Sequence, residues 1–209
     1  MKKKDLVLTV IDRLKKEYPD SGCSLEYTEP YKLLISVRLA AQCTDERVNR
    51  IVPLLYERFP TMEAIALADV SEIESIVRPC GLGASKARDI SACMRTLISD
   101  FGGRVPDSFD ALLSLPGVGR KSANLIMGDV FKKPAIVTDT HCIRLSNRLG
   151  LVATKDPFKV EMALKKLVPP EEGNDLCHRF VDHGRAVCSA RKNPSCDLCC
   201  LWDICPKRL

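Results

Sequence analysis

Lys121 and Asp139 stand eighteen residues apart, an amine and a carboxylate that could act as a nucleophile and its proton acceptor. An amine attacks an electrophilic carbon and forms a Schiff base only while unprotonated. The positive end of a helix and a neighbouring cation such as Arg120 both favour that neutral form. A carboxylate can orient or deprotonate the attacking group, and it can steady positive charge that develops on the reacting carbon. A lysine in an arbitrary place is a solvated surface residue, and an aspartate at a helix start is a cap, so the pair gains meaning only from its setting. A second set of reactive side chains closes the chain: Cys188-x7-Cys196-x2-Cys199-x5-Cys205. Four thiolates so spaced could hold either a tetrahedral zinc or a 4Fe–4S cluster, and spacing alone leaves both open.

The elements that must position these groups are helical nearly throughout. Leu6, Val7, Val10, Ile11 and Leu14 recur at helical spacing, as do Leu33, Leu34, Val37 and Ala41. Thr44 caps a third helix that runs from Asp45 with Val48, Ile51, Val52 and Leu55 on one face, and Pro53 should kink or break it. Ser71 and Glu74 form a capping box. Ser85 to Phe101 is a long amphipathic stretch ended by Gly102-Gly103, and Asp107 caps a short helix after it. Asp139, Asp156 and Asn174 open three more helices, and alternating strand patterns are absent. The chain is therefore expected to be all-α, with a metal-stapled tail after Cys188.

Leu115-Pro116-Gly117-Val118-Gly119-Arg120-Lys121 joins two of these helices. Pro116 ends the first. Gly117 and Gly119 permit positive φ and close backbone approach. A turn of this kind at a helix start exposes several N–H groups together, an anion site suited to phosphate. Backbone amides carry no base code, so Gly117, Val118, Gly119 and Arg120 would position DNA without reading its sequence.

Composition bounds the partners. The 209 residues carry a formal net charge of +5 with 45% hydrophobic and 28% charged residues, a globular balance that does not support binding by bulk charge. Eleven cysteines, an odd number with several scattered singly, disfavour a full disulfide framework. The N-terminal apolar stretch is broken by Asp12 and Arg13, unlike a secretory signal, and no run approaches a membrane span. A reducing, intracellular setting fits clustered cysteines best. Cys23, Cys43, Cys80, Cys93, Cys142 and Cys177 have no ligand spacing and are expected to be small buried apolar residues.

The string LPGVGRKSAN resembles the helix-hairpin-helix of the endonuclease III family of DNA glycosylases, and the cysteine tail is similar to that family's 4Fe–4S motif. The resemblance runs from about Glu29 to Cys205. It implies two all-α domains with a DNA-binding cleft between them: a six-helix barrel with the hairpin at 23–134, and an iron–sulfur domain of 1–22 with 135–209. It places the catalytic lysine on Lys121 and the catalytic aspartate on Asp139. Relatives limited to base removal lack lysine there, so Lys121 implies a bifunctional glycosylase and abasic-site lyase acting on oxidised pyrimidines in duplex DNA. Gln42 matches the family's gap-filling glutamine and Leu82 its intercalating wedge, roles suited to replacing an extruded base. Cys188, Cys196, Cys199 and Cys205 take the ligand positions, although the first gap is seven residues where the family usually has six, and Cys200 adjoins Cys199. Arg191 and Lys192 fall in a loop that presents basic residues to DNA. A cytoplasmic, nucleoid-associated monomer of bacterial type is expected. Three other readings are a related glycosylase for mispaired or alkylated bases, a non-catalytic damage-binding module, and a zinc-bound structural protein.

Overall fold

The structure, a computed structural model, describes residues 2–190 and 194–206, so Arg191 and Lys192 lie outside the described residues. Among the described residues there are helices, turns and no strands. The chain divides into two compact units, one of residues 24–131 and one of residues 1–23 with 132–209.

The central unit contains α2 (Pro30–Leu39), α3 (Asp45–Arg58), α4 (Met62–Leu67), α5 (Val70–Val77), α6 (Gly83–Phe101), α7 (Phe109–Ser114) and α8 (Arg120–Asp129). The long α6 is its spine, packed on α2, α4 and α5, with Ala87, Ile90, Met94 and Leu97 on the buried stripe. Gly102 ends α6 in the left-handed conformation at φ 59, a position where an L side chain would be strained. Several sequence expectations shift here. α3 continues unbroken through Pro53, which faces solvent, where water can meet the carbonyl that proline leaves without a donor. The cap of α5 is Asp69, not Ser71: its carboxylate accepts from both the Ser71 N–H and hydroxyl, and these bonds hold its pKa below the usual range. Ser108, not Asp107, caps α7 by accepting from Ala111 N–H.

The terminal unit contains α1 (Lys3–Glu17), α9 (Thr140–Arg148), α10 (Pro157–Lys165) and α11 (Gly173–Ala186). Leu6, Val7, Val10, Ile11 and Leu14 are buried, and α11 packs on both α1 and α9. α11 begins one residue before Asn174, with Glu172 at its N-cap position, so Asn174 is not the cap. Gly184 lets α11 approach α9: an added Cβ would sit 2.5 Å from His141 Nδ1 and 2.8 Å from an Arg144 guanidinium nitrogen. His141 is therefore a packing residue at this crossing, hydrogen-bonded with Arg144 at 3.1 Å.

Candidate DNA-processing site and cysteine centre

The hairpin links α7 to α8. Val118 N–H donates to Leu115 O at 3.1 Å, and Gly119 is the N-cap of α8. The two glycines differ. Gly117 has φ 75, and an added Cβ would lie 2.8 Å from Asp89 Cβ and 3.1 Å from Arg38 Cδ. Arg38 and Asp89 are themselves joined by a 2.7 Å hydrogen bond from Nε, so the turn rests on a braced surface of α2 and α6. Gly119 has φ −99 and open space around it, so it does not use the positive φ that glycine permits. Its extended geometry is ordinary for an N-cap. The first-turn amides of α8 lack partners within the helix, as at every helix start. Arg120 lays its guanidinium over the Phe109 ring at 4.8 Å, tying α8 back to α7. Lys121 is exposed on the first turn of α8.

Asp139 lies in the terminal unit as the N-cap of α9, its Oδ1 accepting from Cys142 N–H at 2.7 Å. Its second oxygen is not committed to that bond, so cap and chemistry are compatible.

Gln42 and Leu82 lie in two loops of the central unit. Gln42 is exposed in the turn after α2, at φ 57. Leu82 precedes α6 at φ 53, and 55% of it is exposed despite its being apolar. Left-handed geometry costs a non-glycine residue roughly 1–2 kcal/mol, so each loop is held against its local preference. Sequence reasoning missed the residue behind them. Lys86 is fully buried, and its Nζ donates to Leu39 O and Cys80 O, both at 2.8 Å. One signal was present: position 86 falls on the stripe of Ile90 and Leu97, where an apolar side chain belongs.

Cys188, Cys196, Cys199 and Cys205 line one cavity together with Arg148, Val187, Pro194 and Trp202. Cys200 is not among its walls, and its carbonyl instead accepts from Arg13 at 3.0 Å. Two arginines one turn apart on α9 grip the Cys188 end. Arg144 donates to Cys188 O, and Arg148 donates to Cys188 Sγ at 3.2 Å and to Ser189 O at 2.6 Å. Leu201 N–H lies 3.4 Å from Cys199 Sγ, as does His183 Nε2, while His183 Nδ1 pairs with Tyr18 Oη at 3.0 Å. Burial lowers the His183 pKa to about 4 and, as the first cause, raises that of Tyr18 to about 12, so both are neutral. Among the described residues, no three His, Cys, Asp or Glu side chains converge as the donors of a single metal ion would. Four thiols around a cavity, with N–H donors to their sulfurs, fit a larger group such as an iron–sulfur cluster.

The six other cysteines are not uniformly buried. Cys80, Cys93, Cys142 and Cys177 are, whereas Cys23 and Cys43 are partly exposed. Two pairs form across the fold, Cys43 with Cys80 and Cys142 with Cys177, which linear spacing could not disclose.

The family of HhH-GPD superfamily base excision DNA repair proteins matches residues 35–170. The endonuclease III of Synechocystis sp. (strain PCC 6803) is 43% identical over 205 residues, which is 98% of this chain and 93% of that protein. Two solved structures, a non-covalent endonuclease III–DNA complex and a trapped endonuclease III–DNA covalent intermediate, each share 38% identity. Each has a TM-score of 0.92, with 99% of this chain and 97% of the other covered. With its hairpin, its cysteine tail and this similarity along almost its whole length, the chain belongs to the endonuclease III family of the HhH-GPD superfamily, bifunctional DNA glycosylases and abasic-site lyases that carry a 4Fe–4S cluster.

Proposed function

We propose that Lys121 is the nucleophile with which this protein excises oxidised pyrimidines from duplex DNA and then cleaves the strand. The Nζ attacks C1′ as the base leaves with its bonding electrons and a proton. The aminal so formed opens as the C1′–O4′ bond breaks and O4′ takes a proton; the resulting iminium acidifies the C2′ hydrogen, and β-elimination expels the 3′ phosphate. Asp139 stabilises positive charge on the sugar and accepts a proton during the transfer. The observation that carries this reading is an exposed lysine on the first turn of the helix following the hairpin, in a chain 38% identical to an endonuclease III solved as a trapped covalent intermediate with DNA.

The hairpin segment from Gly117 to Arg120 positions the DNA backbone, assisted by Arg191 and Lys192, while Gln42 and Leu82 occupy the space of the extruded nucleotide. Cys188, Cys196, Cys199 and Cys205 are the cluster ligands. Bound there, the cluster supplies a rigid cross-link for the tail, and no step of base release passes through it. The protein acts as a monomer in the bacterial cytoplasm, associated with the nucleoid. No described helix is long and apolar enough to cross a membrane.

Borohydride reduction during turnover should fix the protein covalently to DNA containing an oxidised pyrimidine. Lys121→Gln should abolish this cross-link and strand cleavage while retaining duplex binding. A persistent cross-link in that variant would remove Lys121 from its role.

A further inference from the structure

The buried amine of Lys86 sits behind the two loops that carry Gln42 and Leu82. A lysine with no exposed surface is rare, because taking an ammonium out of water is costly unless it is hydrogen-bonded. Here two of its three possible bonds go to Leu39 O and Cys80 O, at 2.8 Å each. Leu39 is the last residue of α2, three positions before Gln42, and Cys80 is two positions before Leu82. The Lys86 backbone N–H donates to Leu82 O at 3.0 Å, so one residue holds the second loop from both its main chain and its side chain. The amine also stands at the C-terminal end of α2, where carbonyls lack helical partners and a cation is favoured. Cys43 and Cys80 meet beside it, continuing the contact between the loops. Both loops hold a non-glycine residue in left-handed geometry, which local sequence does not favour and a tertiary restraint must maintain.

We propose that Lys86 is a positioning residue for nucleotide extrusion: it staples the Gln42 loop to the Leu82 loop so that both side chains enter the DNA stack together. This rests on the gap-filling roles given to Gln42 and Leu82 above. Prepaid alignment matters because a displacement of about 1 Å at such a site can cost on the order of 100-fold in rate. The Lys86 amine bonds to Leu39 O and Cys80 O, whereas the surface under the hairpin is braced by the Arg38–Asp89 bond, so the staple and the hairpin support use different hydrogen bonds.

The test uses the full-length protein with its cluster and a duplex in which a tetrahydrofuran abasic analogue faces 2-aminopurine. K86M has nearly the length of lysine but no donor. It should melt cooperatively and bind undamaged duplex like the wild type. Its 2-aminopurine fluorescence rise should slow by roughly tenfold or more, with kcat for an oxidised thymine falling in parallel and KM nearly unchanged. K86Q reaches one carbonyl at most and should fall between; it decides the matter if K86M does not fold. Wild-type fluorescence kinetics in either folded variant overturn the proposal. Loss of cooperative melting in both also overturns it, since Lys86 would then hold the whole central unit rather than its loops. Q42A and L82A separate the layers. If they too leave extrusion unchanged, the gap-filling reading itself fails and the staple with it; if they slow it and K86M does not, only the staple fails.

Discussion

Asp139 carries two duties that substitution can separate. Its Oδ1 caps α9, and its charge is assigned to the sugar. Asparagine keeps a capping oxygen but lacks the charge, so D139N should lose base release while its melting temperature stays close to that of the wild type. Alanine loses both, and D139A should be destabilised by about 1 kcal/mol in addition. Thermal melting beside a base-release assay checks both, and equal melting of the two variants would show that the cap contributes nothing. The hairpin glycines divide in the same way. G117A forces a Cβ into left-handed backbone and against Asp89, so it should destabilise the central unit by about 2 kcal/mol in denaturant unfolding. G119A meets neither obstacle and should unfold like the wild type. Any loss it shows in duplex affinity would then report close approach of DNA to that backbone.

At the scale of elements, the apolar stripes were legible because they repeat with the helix: the buried residues of α1, α3 and α6 follow from periodicity. Caps were less legible. Asp69 and Ser71, or Asp107 and Ser108, are near neighbours of equal capping chemistry, and only backbone geometry decides which side chain faces the free amides. Lys86 escaped because its acceptors, Leu39 O and Cys80 O, are main-chain carbonyls; the side-chain pattern shows that position 86 is buried but not what it bonds to. The cysteine tail shows the same contrast. Spacing offered Cys199 and Cys200 as neighbours, whereas in the fold Cys199 lines the cavity with its three partners and Cys200 turns its carbonyl to Arg13. C200A should therefore keep the brown colour, iron content and stability of the parent. C199A should lose iron and destabilise the tail, and iron loss from C200A with iron retained in C199A would reverse the ligand assignment. Arg148, which donates to Cys188 Sγ, adds a further check: R148M should shift the cluster's reduction potential, measured by protein-film voltammetry on DNA-free protein, because a bond to a ligand sulfur is lost.

At the scale of the whole molecule, the net charge of +5 is a poor guide to DNA affinity. Four thiolates around a dicationic 4Fe–4S core remove about two positive charges from it. Affinity must come from where the cations stand, and counterion release measures that directly. Each phosphate neutralised contributes about −0.9 to the slope of log K against log salt on duplex DNA. A few local contacts should give an overall slope near −3, far shallower than for a protein that coats the duplex with charge. R191A and K192A should each make the slope shallower by about 0.9 on undamaged and damaged duplex alike, because phosphate contacts carry no lesion information. L82A should act oppositely, weakening binding to an abasic analogue while leaving the salt slope intact, since an apolar wedge releases no counterions. Fluorescence anisotropy across a salt series on the two duplexes checks all three variants. A steep slope unaffected by R191A and K192A would move the phosphate-binding surface away from the cysteine loop and onto the hairpin amides and Arg120.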